Sequence, residues 1–176
     1  MTDFSLNYGK AIYDLSCEEK LSDVILGDFN LVSELLSENP EYCKLLDTPT
    51  ISKEEKCKLL DEVFKNNVHE YSLNFLKILS EKKSVYRFEK CKNVFVKSYN
   101  KDNNIEIVIA VTAKPLNEEL EAKLVSKLHN MTGKNIVLKN DVDPSCLGGM
   151  IIRFENSQID GSLKTKLENL KKQIFA

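Results

Sequence analysis

The sequence lacks the features that mark several common protein classes. It has no tryptophan and two histidines, and its longest apolar runs, such as residues 107–111, are far shorter than the roughly 20 residues of a transmembrane helix. Its first residues show neither the basic and apolar pattern of a secretory signal nor the arginines of an organellar transit peptide. We therefore expect a cytoplasmic protein with no transmembrane segment of its own.

Charge and cysteine content argue against two more classes. The net charge of −2 lacks the basic excess that is typical of nucleic-acid-binding proteins. The five cysteines are an odd number without a CxxC pair, so they cannot all form disulfides and do not suggest a zinc ribbon. We expect them to be reduced packing residues. They are Cys17, Cys43, Cys57, Cys91 and Cys146.

Residues 1–104 carry apolar side chains at helical spacing and almost no strand pattern. About six helical segments are predicted, among them residues 68–81 and 85–99. Ser52 and Glu55 have the spacing of a capping box, which predicts that a helix begins just after Ser52. Because the connections between these segments are short, the pattern favours an antiparallel six-helix bundle as the N-terminal domain.

Residues 105–176 follow a different period. The polar stretch 100–104 is predicted to be a turn-forming linker, and the alternation after it predicts a strand at 105–112. Asn117 and Gly133 are the expected N-cap and stop of a helix. Short strands are predicted at 136–138, 150–154 and 157–160, and a terminal helix after Gly161. The chain is thus predicted to be mainly α with a small α/β part, a C-terminal mixed-sheet α/β domain.

A search for catalytic chemistry finds no convincing site. The two histidines, His69 and His129, have no partner at ligand spacing, and they are interpreted as structural. Gly148-Gly149 leads into a strand, where a phosphate-binding loop would lead into a helix, so a bulge or a close backbone approach is favoured. We predict no catalytic residue and no cofactor.

Three aspartates keep one enzymatic alternative open. Asp141, Asp143 and Asp160 would serve a small cytosolic enzyme if they shared a metal ion, although the glycine and glutamate positions of an EF-hand are missing. Local turn capping explains Asp143, which precedes a proline, more simply.

The predicted helix at 68–81 is apolar nearly all round its axis. A helix of this kind must be covered on more than one side, either inside the bundle or by a partner's amphipathic helix in a groove. An unrelated helical adaptor that uses such a groove is therefore a second alternative. The apolar residues are Leu73, Phe75, Leu76, Ile78 and Leu79.

Several stretches resemble one family over nearly the whole chain. Residues 8–13 (Tyr-Gly-Lys-Ala-Ile-Tyr), 46–56 and 74–79 are similar to its first helix, a loop with the helix start after it, and an Asn-Phe-Leu segment. The strongest match is a pair of blocks, residues 142–153 and 159–167. The family is the delta subunit of F-type ATP synthase, whose mitochondrial counterpart is the oligomycin-sensitivity-conferring protein. The departures are modest: Gly9 stands where alanine is usual and should weaken the first helix, and Cys146 replaces an aliphatic residue.

The resemblance implies a six-helix bundle over 1–104, an α/β domain over 105–176 and a non-catalytic role. Such a subunit belongs to the peripheral stalk (stator), which links the catalytic head to the membrane-bound b subunits during proton-driven ATP synthesis. Without a transit peptide, its expected place is the cytoplasmic face of the cell membrane, as a peripheral membrane protein.

The resemblance also implies two interfaces. The N-terminal helix of one alpha subunit of the head would bind in a groove between the first and fifth helices, and the b subunits would contact the C-terminal domain. The candidates for the alpha-subunit groove are Tyr8, Ala11, Ile12, Leu15, Phe75, Ile78 and Leu79. The candidates for the b-subunit contact, which are also the family signature, are Gly148, Gly149, Met150, Ile151, Arg153, Asp160 and Gly161.

Overall fold

Helices fill the first part of the chain and a small sheet follows. A computed structural model describes residues 4–146, 148–155, 157–163 and 165. The chain divides into two compact units, Met1–Tyr99 (unit 1) and Asn100–Ala176 (unit 2). The described residues are mostly helical and include a four-stranded mixed sheet, so the prediction of a mainly α chain with a small α/β part is confirmed.

The local signal at Ser52 places the start of α4 correctly, whereas the helix predicted at 85–99 has different bounds. Ser52 caps α4: its hydroxyl accepts the Glu55 N–H, and the Glu55 carboxylate accepts the Ser52 N–H. The predicted helix at 85–99 instead starts with a 3₁₀ turn and runs on to Asp102, so the linker prediction was wrong for residues 100–102. In chain order these elements are α1 Phe4–Glu18, α2 Ser22–Glu38, α3 Pro40–Asp47, α4 Lys53–Phe64, α5 Glu70–Glu81, the 3₁₀ turn Val85–Arg87 and α6 Phe88–Asp102.

Aromatic side chains form the centre of unit 1. Phe29 of α2 is fully buried, and its ring centroid lies 5.4 Å from that of Phe75 and 5.2 Å from those of Phe88 and Phe95. Phe95 in turn meets the ring of Tyr13 edge-on at 5.3 Å. Helices α1, α2, α5 and α6 therefore share one core, in which burial and aromatic contacts both contribute to stability.

Unit 2 is a four-stranded sheet with strand order β2-β1-β3-β4. The β1 and β2 strands are parallel and α7 connects them, whereas β1–β3 and β3–β4 are antiparallel. As predicted, the Asn117 side chain accepts the Leu120 N–H at the start of α7, and Gly133 ends it in the left-handed conformation. The elements are β1 Ile105–Thr112, α7 Glu118–Thr132, β2 Asn135–Val142, the 3₁₀ turn Pro144–Cys146, β3 Met150–Arg153 and β4 Gln158–Asp160.

Helix α7 covers one face of the sheet. Val108 and Ala110 of β1 are buried against Leu124 and Leu128 of the helix. The strand predicted at 136–138 is longer than expected, because β2 continues through Val142 in register with β1. The predicted terminal helix lies mostly outside the described residues, which include only Leu163 and Thr165 in helical conformation.

The cysteines sit in contrasting surroundings. Cys91 of unit 1 and Cys146 of unit 2 are buried, whereas Cys17 is exposed. No pair of the five forms a disulfide. Burial agrees with a packing role for Cys91 and Cys146, whereas the exposed Cys17 does not fit that interpretation.

Candidate functional site

One face of α1 lies at the edge of the core and supplies half of the predicted groove. Tyr8 and Leu15 are partly buried and pack against the core, Ala11 is exposed, and Ile12 is buried. Phe4, one turn before Tyr8, stacks on its ring with centroids 4.1 Å apart. Sequence reasoning missed Phe4, although its spacing of four residues from Tyr8 was a visible signal.

An adjoining face of α1 lies directly on α6. A Cβ on Gly9 would stand 2.6 Å from the Cys91 carbonyl oxygen and 2.8 Å from the Val94 Cβ. The glycine therefore has a packing reason: it lets the two helix backbones approach more closely than alanine would. The expectation that Gly9 only weakens the helix was incomplete, because it left out this contact.

Helix α5 contributes mostly buried side chains. Phe75 and Leu79 are 4% and 0% exposed, but Ile78 is 43% exposed. Burial inside the unit therefore explains most of the apolar residues of this helix, and Ile78 is the exception. Tyr71, partly buried and two turns before Ile78, is a further candidate that sequence reasoning missed.

The seven predicted groove residues thus fall into two groups. Ile12, Phe75 and Leu79 belong to the core and can shape a groove without touching a partner. The other four are accessible in whole or in part, and they are Tyr8, Ala11, Leu15 and Ile78. The ring contacts from Phe75 through Phe29 and Phe95 to Tyr13 connect α5 to α1 across the shared core.

The two signature blocks of unit 2 meet through their backbones. Gly149 has φ 76°, and a Cβ on it would lie 2.4 Å from the Gly161 carbonyl oxygen. The Gly161 N–H donates to the Met150 carbonyl at 2.9 Å, and the Leu163 N–H donates to the Gly148 carbonyl at 2.9 Å. The predicted close backbone approach at Gly148-Gly149 is confirmed, and glycine is required because only a residue without Cβ fits there.

Asp160 organises the chain just after β4. One carboxylate oxygen accepts the Ser162 N–H at 2.9 Å, and the other accepts the Thr165 hydroxyl at 2.7 Å. The Ser162 hydroxyl accepts the Thr165 N–H at 3.3 Å, as at a helix N-cap. The backbone hydrogen bond from Ser162, followed by the hydroxyls of Thr165 and Ser162, lowers the pKa of Asp160 below its usual value.

The remaining signature residues differ in accessibility. Met150 packs against the core with α7, whereas Ile151 is half-buried and Arg153 is exposed. Because side chains alternate along a strand, Ile151 and Arg153 point away from the α7 side, on which Ile152 lies. Ile107 and Val137 lie on the same face, which we call the open face, and are 37% and 44% exposed, whereas Val111 on that face is buried.

The metal-enzyme alternative is wrong on geometric grounds. Asp141 pairs with Val111, Val111 with Ile151, and Ile151 with Asp160, so Asp141 and Asp160 lie on opposite edges of the sheet. Three inter-strand steps separate them by about 14 Å, too far for one ion. Asp143 instead accepts the Ser145 N–H at 2.9 Å, which is the predicted turn cap. Within the described residues, no group of three potential ligands is close enough for a metal.

Both histidines have structural contacts. The His69 Nδ1 accepts the Tyr71 N–H at 3.3 Å at the start of α5. The Nδ1 of His129 lies 2.7 Å from the Lys134 carbonyl oxygen beside the end of α7. These contacts agree with their interpretation as structural residues.

Accessible apolar side chains on both units are typical of a protein that acts through contacts with other proteins. A family model described as "ATP synthase delta (OSCP) subunit" matches residues 5–174. The chain belongs to this family. Its function is that of a non-catalytic subunit in the peripheral stalk of an ATP synthase. Because the match spans both units, the alternative of an unrelated helical adaptor is wrong.

Individual relatives agree with the family assignment. The chain is 33% identical over 168 residues to "ATP synthase subunit delta" of Clostridioides difficile (strain 630), covering 95% of this chain and 93% of the relative. It is 32% identical to the protein of the same name from Clostridium botulinum (strain Loch Maree / Type A3), with 96% and 94% covered.

A solved structure shares the fold. A chain in the cryo-EM structure of the Toxoplasma gondii mitochondrial ATP synthase hexamer matches with a TM-score of 0.72 and 23% identity over 99% of both chains. In the part of this chain that the structure describes, no helix combines the length and apolar character that crossing a membrane requires.

Proposed function

We propose that the chain ties the catalytic head to the b subunits through one interface on each domain. Residues 1–104 form an antiparallel six-helix bundle that binds the N-terminal helix of an alpha subunit between α1 and α5. Residues 105–176 bind the b subunits at the cytoplasmic face of the cell membrane. The observation that carries the proposal is that Tyr8, Ala11 and Leu15 of α1 and Ile78 of α5 are accessible, while buried residues of the same two helices belong to one shared core.

The alpha-subunit interface relies on apolar contacts beside a preformed core. An amphipathic helix laid along α1 and α5 would cover Ile78, which is 43% exposed, and the accessible parts of Tyr8 and Leu15. A standard interface buries about 800 Å² on each partner, which one helix in a groove approaches. The buried Phe75 and Leu79 anchor α5, which is one wall of the groove, to the core of unit 1.

The b-subunit interface is assigned to the open face of the sheet. Ile151 and Arg153 are the accessible members of the signature set on that face, where Ile107 and Val137 extend the apolar surface. The glycines at 148, 149 and 161 act indirectly, by holding β3 against the chain that follows β4.

The mechanism is mechanical. Proton flow turns the rotor, and the head would turn with it unless a stationary connection resisted the torque. Two interfaces on one chain also strengthen each other, because binding at one end raises the effective concentration at the other. Neither interface needs to be exceptionally tight when it acts alone.

Affinity purification from gently solubilised membranes tests the proposal. The tagged wild-type chain should recover alpha, beta and b subunits together with ATPase activity. Ile78→Glu should lose the head and keep the b subunits, whereas Val63→Glu on α4, where the side chain is similarly exposed at 40%, should lose neither. Arg153→Glu should lose the b subunits, and Lys127→Glu on α7 is its charge-matched control.

The outcomes separate the two halves of the proposal. Recovery of the wild-type chain alone would overturn it entirely. Equal retention of the head by the Ile78 and Val63 variants would show that the α1–α5 groove is not the alpha-subunit site. Retention of the b subunits by Arg153→Glu would show that the open face of the sheet is not their site.

A further inference from the structure

We propose that Asp28 and Asp47 are positioning residues for the alpha-subunit groove: they fix the two ends of α5 and so set the affinity for the partner helix without touching it. The inference rests on the function proposed above, because α5 is one wall of that groove. Asp28 belongs to α2 and Asp47 ends α3, so both lie outside the two helices that line the groove.

The N-terminal end of α5 is held by Asp28. The first N–H groups of a helix have no partner inside it and need an outside acceptor. One oxygen of the buried Asp28 carboxylate accepts the His69 N–H at 2.8 Å and the Ser72 hydroxyl at 2.7 Å. His69 is itself the N-cap, and its ring accepts the Tyr71 N–H. A negative charge from α2 thus faces the positive end of the α5 dipole.

The C-terminal end of α5 is held by Asp47. The chain leaves the helix through Lys83, which has φ 51°, and the Ser84 N–H returns to the Leu79 carbonyl at 2.9 Å. Immediately after this turn, one Asp47 oxygen accepts the Val85 N–H at 2.9 Å and the other accepts the Tyr86 N–H at 3.1 Å. The carboxylate therefore fixes the exit of α5 against α3.

Two ion pairs hold α5 along its side. Lys77 contacts Asp61 of α4 at 2.6 Å, and Glu81 contacts Lys53 at the start of α4 at 2.7 Å. The exposed Ile78 stands between Lys77 and Glu81 in the sequence of α5. The two aspartates hold the ends of the same helix. A partner helix that meets a prepositioned Ile78 avoids the cost of ordering this wall during binding. Loosening either end should raise that cost without removing any atom that the partner touches.

A general loss of stability would be the competing explanation, and the chain offers a matched control for it. Ser52→Ala removes the capping box of α4, a helix that does not line the groove. It should weaken the fold without touching the hydrogen bonds that Asp28 and Asp47 make at the two ends of α5. Asp28→Asn is the conservative variant: its amide oxygen can take the place of the one carboxylate oxygen that accepts both the His69 N–H and the Ser72 hydroxyl.

The experiment measures binding of the full-length chain to a synthetic peptide of about 20 residues, the N-terminal segment of the same organism's alpha subunit. Calorimetry is done at a temperature where every variant is fully folded by circular dichroism. Asp28→Ala and Asp47→Ala should each weaken binding by about tenfold, whereas Ser52→Ala and Asp28→Asn should stay near the wild-type affinity. Amide hydrogen exchange should be faster at Tyr71 in Asp28→Ala and unchanged in the first turn of α4.

Each result decides a different question. If the wild-type chain binds the peptide and Asp28→Ala binds it equally well, the positioning role is wrong and the proposed function stands. An equal loss of affinity in Ser52→Ala would reduce the effect to general stability and also overturn the inference. If the wild-type chain does not bind the peptide, the groove itself is wrong and the positioning role falls with it.

Discussion

Side chains shape unit 1, whereas the backbone shapes the key junction of unit 2. In unit 1 the rings around Phe29 fill the space between helices, and aspartates from neighbouring helices fix α5. In unit 2 the decisive contact is between Gly149 and Gly161, where main-chain atoms leave no room for a Cβ. The glycines of the family signature in unit 2 are therefore required for folding, because a side chain would not fit there. The accessible groove residues of unit 1 are not restricted in this way by the packing of the fold.

The largest expected effect concerns Gly149. In Gly149→Ala the new methyl group would meet the Gly161 carbonyl oxygen at 2.4 Å, in a left-handed conformation that alanine disfavours. Left-handed strain of about 1–2 kcal/mol and crowding of about 1–3 kcal/mol should together remove roughly 3 kcal/mol from the stability of unit 2. Urea unfolding followed by amide NMR signals of β1 and β3 measures this loss.

Gly133→Ala is the control for Gly149→Ala. Gly133 also has a positive φ, 69°, but a Cβ there would meet nothing within 4 Å. It should cost only the left-handed strain, about 1–2 kcal/mol. Equal losses in the two variants would show that the Gly149–Gly161 contact contributes nothing, and the contrast between the two units would fail.

A smaller effect, of opposite sign at two sites, is expected in unit 1. Gly9→Ala places a methyl group 2.6 Å from the Cys91 carbonyl oxygen, and the crowding should outweigh the helix-propensity gain for a net loss of about 1–2 kcal/mol. Gly27 of α2 has open space around it, so Gly27→Ala should gain about 1 kcal/mol. Urea unfolding followed by helical circular dichroism compares the two, and a gain in both would show that α1 moves away from α6 at no cost.

The smallest effect is a pH dependence in unit 2. Folding lowers the pKa of Asp160 below its ordinary value of 3.8. The charged carboxylate therefore stabilises the fold above pH 3.8, and this contribution is lost as the pH falls through the lower pKa of the folded state. The difference in unfolding free energy between wild type and Asp160→Asn should therefore shrink below pH 3.8. Thr165→Val should raise the pKa of Asp160 only part of the way, because the backbone donor of Ser162 remains. An NMR titration that finds Asp160 at or above 3.8 contradicts this account.

Signals that act within one turn of the chain were predictable from the sequence. The capping box at Ser52, the N-cap Asn117 and the helix end at Gly133 all rest on neighbouring residues, and each is confirmed. The prediction failed at residues 100–102, which are polar enough for a turn but continue α6 in the folded protein.

Contacts between distant residues were beyond the sequence pattern. Asp28 accepts the His69 N–H across 41 positions, and nothing near Asp28 marks it as a cap for another helix. The periodicity of α5 likewise could not separate the buried Phe75 and Leu79 from the exposed Ile78, because apolar residues occur nearly all round that helix. The sequence of α1 alone marks Gly9 as a helix-weakening residue, because its packing role depends on the backbone of α6.

The two buried cysteines give each unit a natural chemical reporter. Cys91 becomes accessible to an alkylating reagent only when unit 1 opens, and Cys146 only when unit 2 opens. Their labelling rates, resolved by mass spectrometry of the digested protein, would measure the local opening of both units in one sample. A comparison of these labelling rates between an idle and a working ATP synthase would show whether the load on the stalk opens unit 1 or unit 2.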